Sequence, residues 1–412
     1  MNTAWLKLKA ILQCPTGRNK KIMSKVSIIK CTDYNKDRVY SAVKQSVDYL
    51  GGIEKYIKKG ERVLIKPNLL SMKTPDKAVT THPEVLRAVI RLVKEAGATP
   101  FVGDSPGGKM TGYSGSFRKL ANPDQYWQET GMKAVCGEEG AEIVSFETGG
   151  SEVFELKNRK HVKTLRLSKT ALSFDSIIDV PKLKTHGMVL FTGAIKNLFG
   201  CVSGLTKAEY HKQAVHPEAF SRMLVDIFSI VKPKLGIFDA VEAMDGNGPS
   251  SGRVKKVGVI LASADCVALD TVGSMVLGFK SAKEISAIRL AGEQGLGESD
   301  ISKIEIEGEK LESVVQKDFI KPSNAALRNM SPIVGVLLNK FFWVYPKINE
   351  AKCAVCRVCV DNCPVKAINI KTKYPSVDRK KCIKCMCCHE LCTYDAIDID
   401  LSFLAGKIYR TG

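Results

Sequence analysis

Nine of the fourteen cysteines in this 412-residue chain lie between positions 353 and 392. They form two copies of one pattern, because CAVCRVCVDNCPVKAINI (353–370) aligns with CIKCMCCHELCTYDAIDI (382–399) without a gap. Each copy has the spacing C-x2-C-x2-C-x3-C, and an Ala-Ile pair follows the fourth cysteine at the same distance in both. The segment is therefore an internal duplication that places eight thiols close together in sequence.

Eight thiolates at this spacing are typical of a protein with two [4Fe–4S] clusters. A loop with two-residue gaps presents three thiolates to one cluster, and the fourth cysteine of each copy reaches across to the other cluster. The segment resembles the bacterial two-cluster ferredoxins, which implies transfer of single electrons. We predict two sets of metal ligands, Cys353, Cys356, Cys359 and Cys392 for the first cluster and Cys363, Cys382, Cys385 and Cys388 for the second.

Two positions depart from the ferredoxin pattern. Pro364 follows the first copy, whereas Thr393 stands at the corresponding place after the second. Cys387 is a ninth cysteine that lies one residue too close to Cys385, so we interpret it as a non-ligand. The alternatives fit less well, because disulfide frameworks suit small secreted domains and zinc ribbons use paired C-x2-C units rather than triplets.

The long region before the cysteines alternates between strand-like and helix-like runs. Short β-branched runs predict strands at 25–30, 62–66, 99–104, 174–180, 234–240 and 256–262, and apolar residues at helical spacing predict helices at 82–97, 218–231 and 264–278. We therefore expect an α/β fold with a mainly parallel sheet and helices on both faces, followed by a small α+β ferredoxin-like domain. The expected segments are a basic extension (1–23), the α/β domain (24–322), a linker with an amphipathic helix (323–350), the two-cluster domain (351–401) and a tail (402–412).

Polar loops follow five of the predicted strands. They are KPNLLS (66–71), GDSPGGKMTGYSGS (103–116), PKLKTHG (181–187), DAVEAMDGNGPSSG (239–252) and SADC (263–266). Because ligands of such folds bind beyond the carboxyl ends of the strands, we expect these loops to form one pocket for an anionic ligand. A solvated loop residue is the alternative for each position. We predict Lys196 and His186 as catalytic residues, with Lys66, Asn68, Asp104, Ser105, Lys184, Asn197 and Asp245 in binding roles.

Charge and composition exclude several classes of function. The formal net charge is +19, but no basic stripe with interleaved aromatic residues indicates nucleic-acid binding. A basic surface suits an acidic protein partner or an anionic substrate. No apolar run reaches the roughly 18–20 residues of a transmembrane segment, and the N-terminus does not resemble a signal peptide, so we expect a cytoplasmic protein. The sequence contains neither a P-loop nor a G-x-G-x-x-G fingerprint.

Six short motifs of the α/β region resemble domain-of-unknown-function family 362. They are KPN (66–68), THPE (81–84), GDSPGG (103–108), PKLKTH (181–186), GAIKNLFG (193–200) and ASADCVALD (262–270). This family is often fused to a two-cluster ferredoxin tail, so the resemblance implies an iron–sulfur protein but no particular reaction. The ten-residue spacing of His186 and Lys196 also resembles the nickel-pincer lactate racemases, in which the lysine attaches the cofactor, although Ala194 stands where that family has a glycine.

These features together predict an oxidoreductase that receives electrons through two [4Fe–4S] clusters and acts on an anionic ligand. The expected protein partner is a ferredoxin, a flavodoxin or a reductase. A non-catalytic electron carrier, an accessory protein for assembly of a metallo-enzyme and a redox-sensing binding protein are the alternatives.

Overall fold

Sixteen strands are present in the part of the chain that the computed structural model describes, which is residues 23–106, 123–204, 206–322 and 344–402. Ten of them form one sheet, and the others form three two-stranded sheets. The strands are β1 (Ser24–Lys30), β2 (Arg62–Pro67), β3 (Thr99–Asp104), β4 (Glu142–Ser145), β5 (Ser151–Glu155), β6 (Thr164–Ser168), β7 (Ser176–Val180), β8 (Lys182–His186), β9 (Leu190–Thr192), β10 (Leu235–Asp245), β11 (Arg253–Ser263), β12 (Ile304–Gly308), β13 (Val344–Ile348), β14 (Ile368–Ile370), β15 (Pro375–Val377) and β16 (Ile397–Leu401).

Helices connect most of these strands. The α-helices of the described ranges are α1 (Lys36–Asp48), α2 (Pro83–Glu95), α3 (Pro123–Glu129), α4 (Met132–Glu139), α5 (Lys169–Leu172), α6 (Ala194–Asn197), α7 (Thr206–Gln213), α8 (Pro217–Val231), α9 (Cys266–Val276), α10 (Ser286–Glu293), α11 (Leu311–Val314), α12 (Val358–Asp361) and α13 (Cys387–Leu391). Short 3₁₀ turns occur at Ile53–Lys55, Pro75–Lys77, Leu198–Cys201, Ala282–Glu284 and Ile301–Lys303.

The large sheet is mainly parallel. Its strand order is β12-β1-β11-β10-β7-β2-β3-β4, and β8 extends it by pairing with β10 and β9. The contacts β1–β12, β10–β7, β7–β2, β2–β3, β3–β4 and β10–β8 are parallel, whereas β11 and β9 run antiparallel to their neighbours. This arrangement confirms the predicted α/β fold class.

Both faces of the sheet are covered by helices, because its central strands carry apolar residues on both sides. In β7, Ile177 belongs to the core under α8 and α9, whereas Ile178 and Val180 belong to the core under α1 and α2. This alternation follows from the two-residue period of a strand. The predicted helices at 82–97, 218–231 and 264–278 are α2, α8 and α9.

Three of the predicted loops differ from the structure. Residues 182–186 form a strand, and β10 continues to residue 245, because the two segments pair with each other (Asp239 with Lys182, Met244 with Lys184). Their lysines suggested exposure to solvent, but Lys182 forms a buried ion pair of 3.0 Å with Asp239. The loop 263–266 lies at the opposite end of the sheet, because β11 is antiparallel to β10.

The cysteine-rich segment forms a small domain of two hairpin-like sheets and two short helices. Strand β13 pairs with β16, and β14 pairs with β15. Residues 344–348 therefore belong to this domain, although we assigned them to the linker from sequence. The basic extension up to residue 22, the predicted linker helix within 323–343 and residues 403–412 lie outside the described residues. Among the described helices, none has the length and hydrophobicity of a membrane span.

The small domain docks on the carboxyl edge of the large sheet through polar contacts. Lys73 Nζ lies 2.6 Å from a carboxylate oxygen of Asp395, and the Ser251 hydroxyl donates a hydrogen bond of 2.9 Å to the same carboxylate. A third link joins His186 Nε2 to Glu390 Oε1 at 3.2 Å. These contacts fix how the cysteine-rich domain faces the predicted pocket.

Candidate functional site

A cavity of about 750 Å³, measured to its open mouth, lies between the large sheet and the small domain. We call it the central cavity. Its walls combine cationic, amide and apolar side chains. The large domain contributes Asn68, Leu69, Leu70, Asp104, Ser105, Lys196, Asn197, Phe199, Gly200, Gly204, Lys207, Ala208 and His211, and the small domain contributes Asn362, Cys387, Glu390 and Leu391.

Lys196 is carried by the one-turn helix α6, which Asp270 of α9 holds in place. The Asp270 carboxylate accepts hydrogen bonds from the backbone N–H groups of Ala194 (2.6 Å) and Ile195 (3.0 Å). A Cβ atom at Gly193 would lie 2.2 Å from the same carboxylate, so only glycine fits there. Burial raises the pKa of Asp270 to about 7, although the two N–H groups favour its ionised form. The segment GAIKN therefore holds Lys196 in place through its hydrogen bonds to Asp270 of α9, a helix that is distant in sequence.

The Lys196 side chain reaches the central cavity without a protein partner. Within the described residues its ammonium makes no hydrogen bond or ion pair. The residue is partly exposed through the cavity, and burial lowers the pKa of its ammonium, while the Glu390 carboxylate opposes that shift. This arrangement leaves a cation available to an anionic ligand.

The predicted binding residues Lys66 and Asp104 form a buried ion pair with a length of 3.0 Å. Both side chains are nearly inaccessible to solvent. Asp104 also accepts hydrogen bonds from the backbone N–H groups of Leu69 (2.9 Å) and Ser105 (2.7 Å), and Lys66 donates to the Pro67 carbonyl (3.1 Å). The structure therefore uses this pair to fix the two loops that follow β2 and β3.

A second buried network contains Lys184, Asn68 and Asn197. Lys184 Nζ donates to Asn68 Oδ1 (2.8 Å), and Asn68 Nδ2 donates to Asn197 Oδ1 (2.8 Å). Asn197 Nδ2 in turn donates to Asp179 Oδ1 (2.8 Å). Burial lowers the pKa of Lys184 well below its ordinary value. The structure brings these predicted residues together, but their polar groups mostly satisfy one another.

Four of the predicted site residues do not line the central cavity, namely Lys66, Lys184, His186 and Asp245. His186 accepts a hydrogen bond from the backbone N–H of Met188 (3.0 Å) through Nδ1, and its Nε2 contacts Glu390. It therefore positions a carboxylate of the small domain. Asp245 lies outside the cavity lining, because its side chain is buried in an ion pair of 2.7 Å with Arg253 across the β10–β11 hairpin.

Two residues of α7 that were not among the predicted site residues, Lys207 and His211, also line the cavity. Lys207 donates to the carbonyls of Ser105 (2.6 Å) and Pro106 (3.1 Å), and burial lowers its pKa to about 8. His211 is buried, and burial lowers its pKa to about 3, so its imidazole is neutral. The two residues are four positions apart in TKAEYHKQ, a spacing that places both on one helix face and was the signal available from sequence.

Comparison with known proteins identifies the large domain. Residues 63–275 match the family described as "Domain of unknown function (DUF362)". The chain belongs to the DUF362 family. The match confirms the resemblance of the α/β region and ends before the cysteine repeat.

One curated protein and one solved structure are similar to parts of this DUF362 chain. "Thylakoid-associated protein sll1697" of Synechocystis sp. (strain ATCC 27184 / PCC 6803 / Kazusa) is 37% identical over 257 residues, which is 62% of this chain and 75% of that protein. The structure of the lactate racemase apoprotein from Thermoanaerobacterium thermosaccharolyticum aligns with a TM-score of 0.42 and 13% identity, over 66% of this chain and 60% of that one. The DUF362 protein thus spans less than two thirds of the aligned structure.

The small domain contains two cavities lined by cysteines, four in the first and five in the second, where Cys387 is the additional one. Cys353, Cys356, Cys359 and Cys392 surround one cavity of about 340 Å³, and Cys363, Cys382, Cys385 and Cys388 surround another of about 320 Å³. The fold thus brings together three cysteines of one repeat with the fourth cysteine of the other. Among the described residues, no three His, Cys, Asp or Glu side chains converge closely enough to hold a single metal ion.

The backbone around these cysteines fits a thiolate-ligated cluster. Val355 and Arg357 in the first copy and Lys384 and Met386 in the second have positive φ angles, so each loop curves in the same way. Such turns point successive N–H groups inward and form concave sites for anionic groups. The Ala367 N–H donates to Cys363 Sγ (3.1 Å), and the equivalent Ala396 N–H donates to Cys392 Sγ (3.2 Å). Hydrogen bonds of this kind stabilise and tune cluster thiolates.

The ninth cysteine connects the second cysteine cavity with the central cavity. Cys387 is buried, lines both cavities, and shares a hydrogen bond with Cys385. The first cysteine cavity has no lining residue in common with the central cavity. The second set of cysteines therefore lies next to the central cavity, which Lys196 also lines.

Proposed function

We propose that this DUF362 protein binds two [4Fe–4S] clusters, transfers electrons through them and acts as an oxidoreductase on an anionic ligand in the central cavity. The observation that carries the proposal is the pair of cavities lined by interleaved sets of four cysteines. When bound, each cluster accepts one electron and gives it up again. All thirteen described cysteines are free thiols, as this use requires.

Basic residues around the cysteine loops support docking of an acidic redox protein. Lys352, Lys381 and Lys384 are exposed, and Arg357 belongs to the first cysteine loop. Opposite charge on a partner accelerates association and orients it. We propose a ferredoxin, a flavodoxin or a reductase as the electron donor, a one-electron carrier whose acidic surface faces these side chains.

The position of Cys387 supports coupling between the second cluster and the ligand. This thiol lines both the second cysteine cavity and the central cavity. A simple electron carrier would not need a ligand cavity with polar groups beside one of its clusters, so this contact favours the oxidoreductase over a non-catalytic carrier.

The proposed location is the cytoplasm, where a reducing environment keeps cysteines free of disulfides.

Reductive titration of the full chain tests the proposal. Protein purified under anaerobic conditions is titrated with dithionite and followed by electron paramagnetic resonance. We expect uptake of about two electrons per chain and signals of reduced [4Fe–4S] clusters. Cys382→Ser should take up about one electron, whereas Cys136→Ser, a buried cysteine of the large domain, should behave as the wild type. A wild-type chain that takes up no electrons would refute the proposal.

A further inference from the structure

The lysines around the central cavity donate hydrogen bonds to protein groups, with one exception among the described residues. Lys66 is paired with Asp104, Lys184 donates to Asn68 and to the Val79 carbonyl, and Lys207 donates to the loop that follows β3. Lys196 is the one lysine lining the cavity in the described chain whose ammonium lacks a partner. An ammonium without a protein partner on the cavity wall forms a charge-assisted hydrogen bond with an anion that binds there.

The carboxylates of the cavity are also engaged. Asp104 contacts Lys66 and two backbone N–H groups, and Glu390 contacts His186. The described lining therefore offers a ligand one ammonium that makes no hydrogen bond to the protein. One ammonium matches the single charge of a carboxylate, whereas a phosphate group carries more charge and recruits several donors.

A second orphaned polar atom lies on the same cavity wall. His211 is 6% exposed, and its Nδ1 has no hydrogen-bond partner within the described residues. The ring stacks on Phe220 with centroids 4.5 Å apart and meets Phe199 edge-on at 5.7 Å, so it cannot turn freely. A polar substituent of a ligand would satisfy this nitrogen.

Part of the cavity wall is apolar. Leu69, Leu70, Phe199 and Leu391 line the cavity beside Lys196 and His211. We infer that the central cavity binds an organic monocarboxylate with an apolar body, whose carboxylate contacts Lys196 and whose polar substituent reaches His211. This inference rests on the proposed function for its redox context and adds the chemical class of the ligand.

Calorimetry with three probes tests the inference on the intact, cluster-loaded chain under anaerobic conditions. Phenylacetate supplies a carboxylate and an apolar body, 2-phenylethanol lacks the charge, and inorganic phosphate lacks the apolar body. We expect phenylacetate to bind at least about tenfold more tightly than either comparison compound. Equal binding of 2-phenylethanol, tighter binding of phosphate or no binding of phenylacetate would each overturn the inference.

Two variants locate the carboxylate. Lys196→Met should weaken phenylacetate binding about 10- to 100-fold, because a charge-assisted hydrogen bond is lost. Lys212→Met is the control, since Lys212 lies in α7 near the cavity with its side chain 53% exposed. An affinity for phenylacetate that is unchanged in Lys196→Met would also overturn the inference.

Iron content, measured on the same samples, separates this inference from the proposed function. A chain with about eight iron atoms that does not bind phenylacetate refutes the ligand class and leaves electron transfer intact. A chain that lacks iron but binds phenylacetate through Lys196 refutes the clusters and supports the ligand site.

Discussion

The structure predicts opposite effects on stability for two lysines that the sequence analysis placed in the same pocket. Lys66 is fully buried in an ion pair of 3.0 Å with Asp104, whereas Lys196 has no such partner in the described chain. Replacing Lys66 with methionine keeps the length of the side chain but leaves the Asp104 carboxylate buried and uncompensated. Replacing Lys196 with methionine removes a charge that makes no ion pair within the described chain.

The magnitudes follow from these two environments. Breaking a buried ion pair from one side costs about 3–5 kcal/mol, so Lys66→Met should lower the apparent melting temperature by on the order of 10 °C. Lys196 is partly exposed and its ammonium makes no hydrogen bond within the described residues, so Lys196→Met should leave the melting temperature unchanged or raise it by a few degrees. Binding should show the reverse order, with phenylacetate affinity lost in Lys196→Met.

The assay is calorimetric unfolding of the cluster-loaded chain at one fixed scan rate, with Lys212→Met as the surface control. The reasoning fails if Lys196→Met destabilises the chain as much as Lys66→Met, because Lys196 would then be a structural residue with a partner of its own. It also fails if Lys66→Met has no effect, because the buried pair would then not hold the two loops together.

Three further substitutions test other parts of the account. Cys387→Ser should keep both clusters, whereas Cys388→Ser should lose about half of the iron, as measured by metal analysis; loss of iron in Cys387→Ser would show that this thiol is a ligand. Asp270→Asn should remove a dependence of stability on pH. Folding raises the pKa of the Asp270 carboxyl from 3.8 to about 7, so this group stabilises the fold below pH 4, and the stabilisation is lost as the pH rises to 7. The free energy of unfolding, measured with denaturant, should therefore shift by on the order of 4 kcal/mol in favour of the variant between pH 4 and pH 7. Parallel curves of this free energy against pH for the two proteins would contradict the buried position of Asp270. Gly200→Ala places a Cβ atom 2.0 Å from a buried carboxylate oxygen and should lower the free energy of unfolding by about 1–3 kcal/mol. Gly137→Ala, with open space around it, should not lower it. Equal effects of the two substitutions in chemical denaturation would argue against the tight packing around Gly200.

The strands and helices of the large domain were predictable because their signals are local. The run SIIDV gives β7, in which alternate side chains enter two different cores. Segments 182–186 and 239–245 were misread as loops because their lysine and aspartate residues suggested solvent. Lys182 is buried because it pairs with Asp239, which lies 57 residues away in sequence. A local sequence pattern cannot predict a partner at that separation.

The candidate site was predictable only in part for the same reason. Lys196 was found from its glycine-flanked loop, but its freedom from partners depends on how Lys66, Lys184 and Lys207 are engaged by other segments. The contribution of Glu390 to the cavity depends on the docking of the small domain, which the sequence does not reveal. The cysteine sets, in contrast, follow from spacing alone.

The most direct measurement of the central claim is the iron and acid-labile sulfide content of the full chain after anaerobic purification. Two clusters predict about eight iron atoms and eight sulfide ions per chain. A chain that carries zinc without acid-labile sulfide would contradict the account.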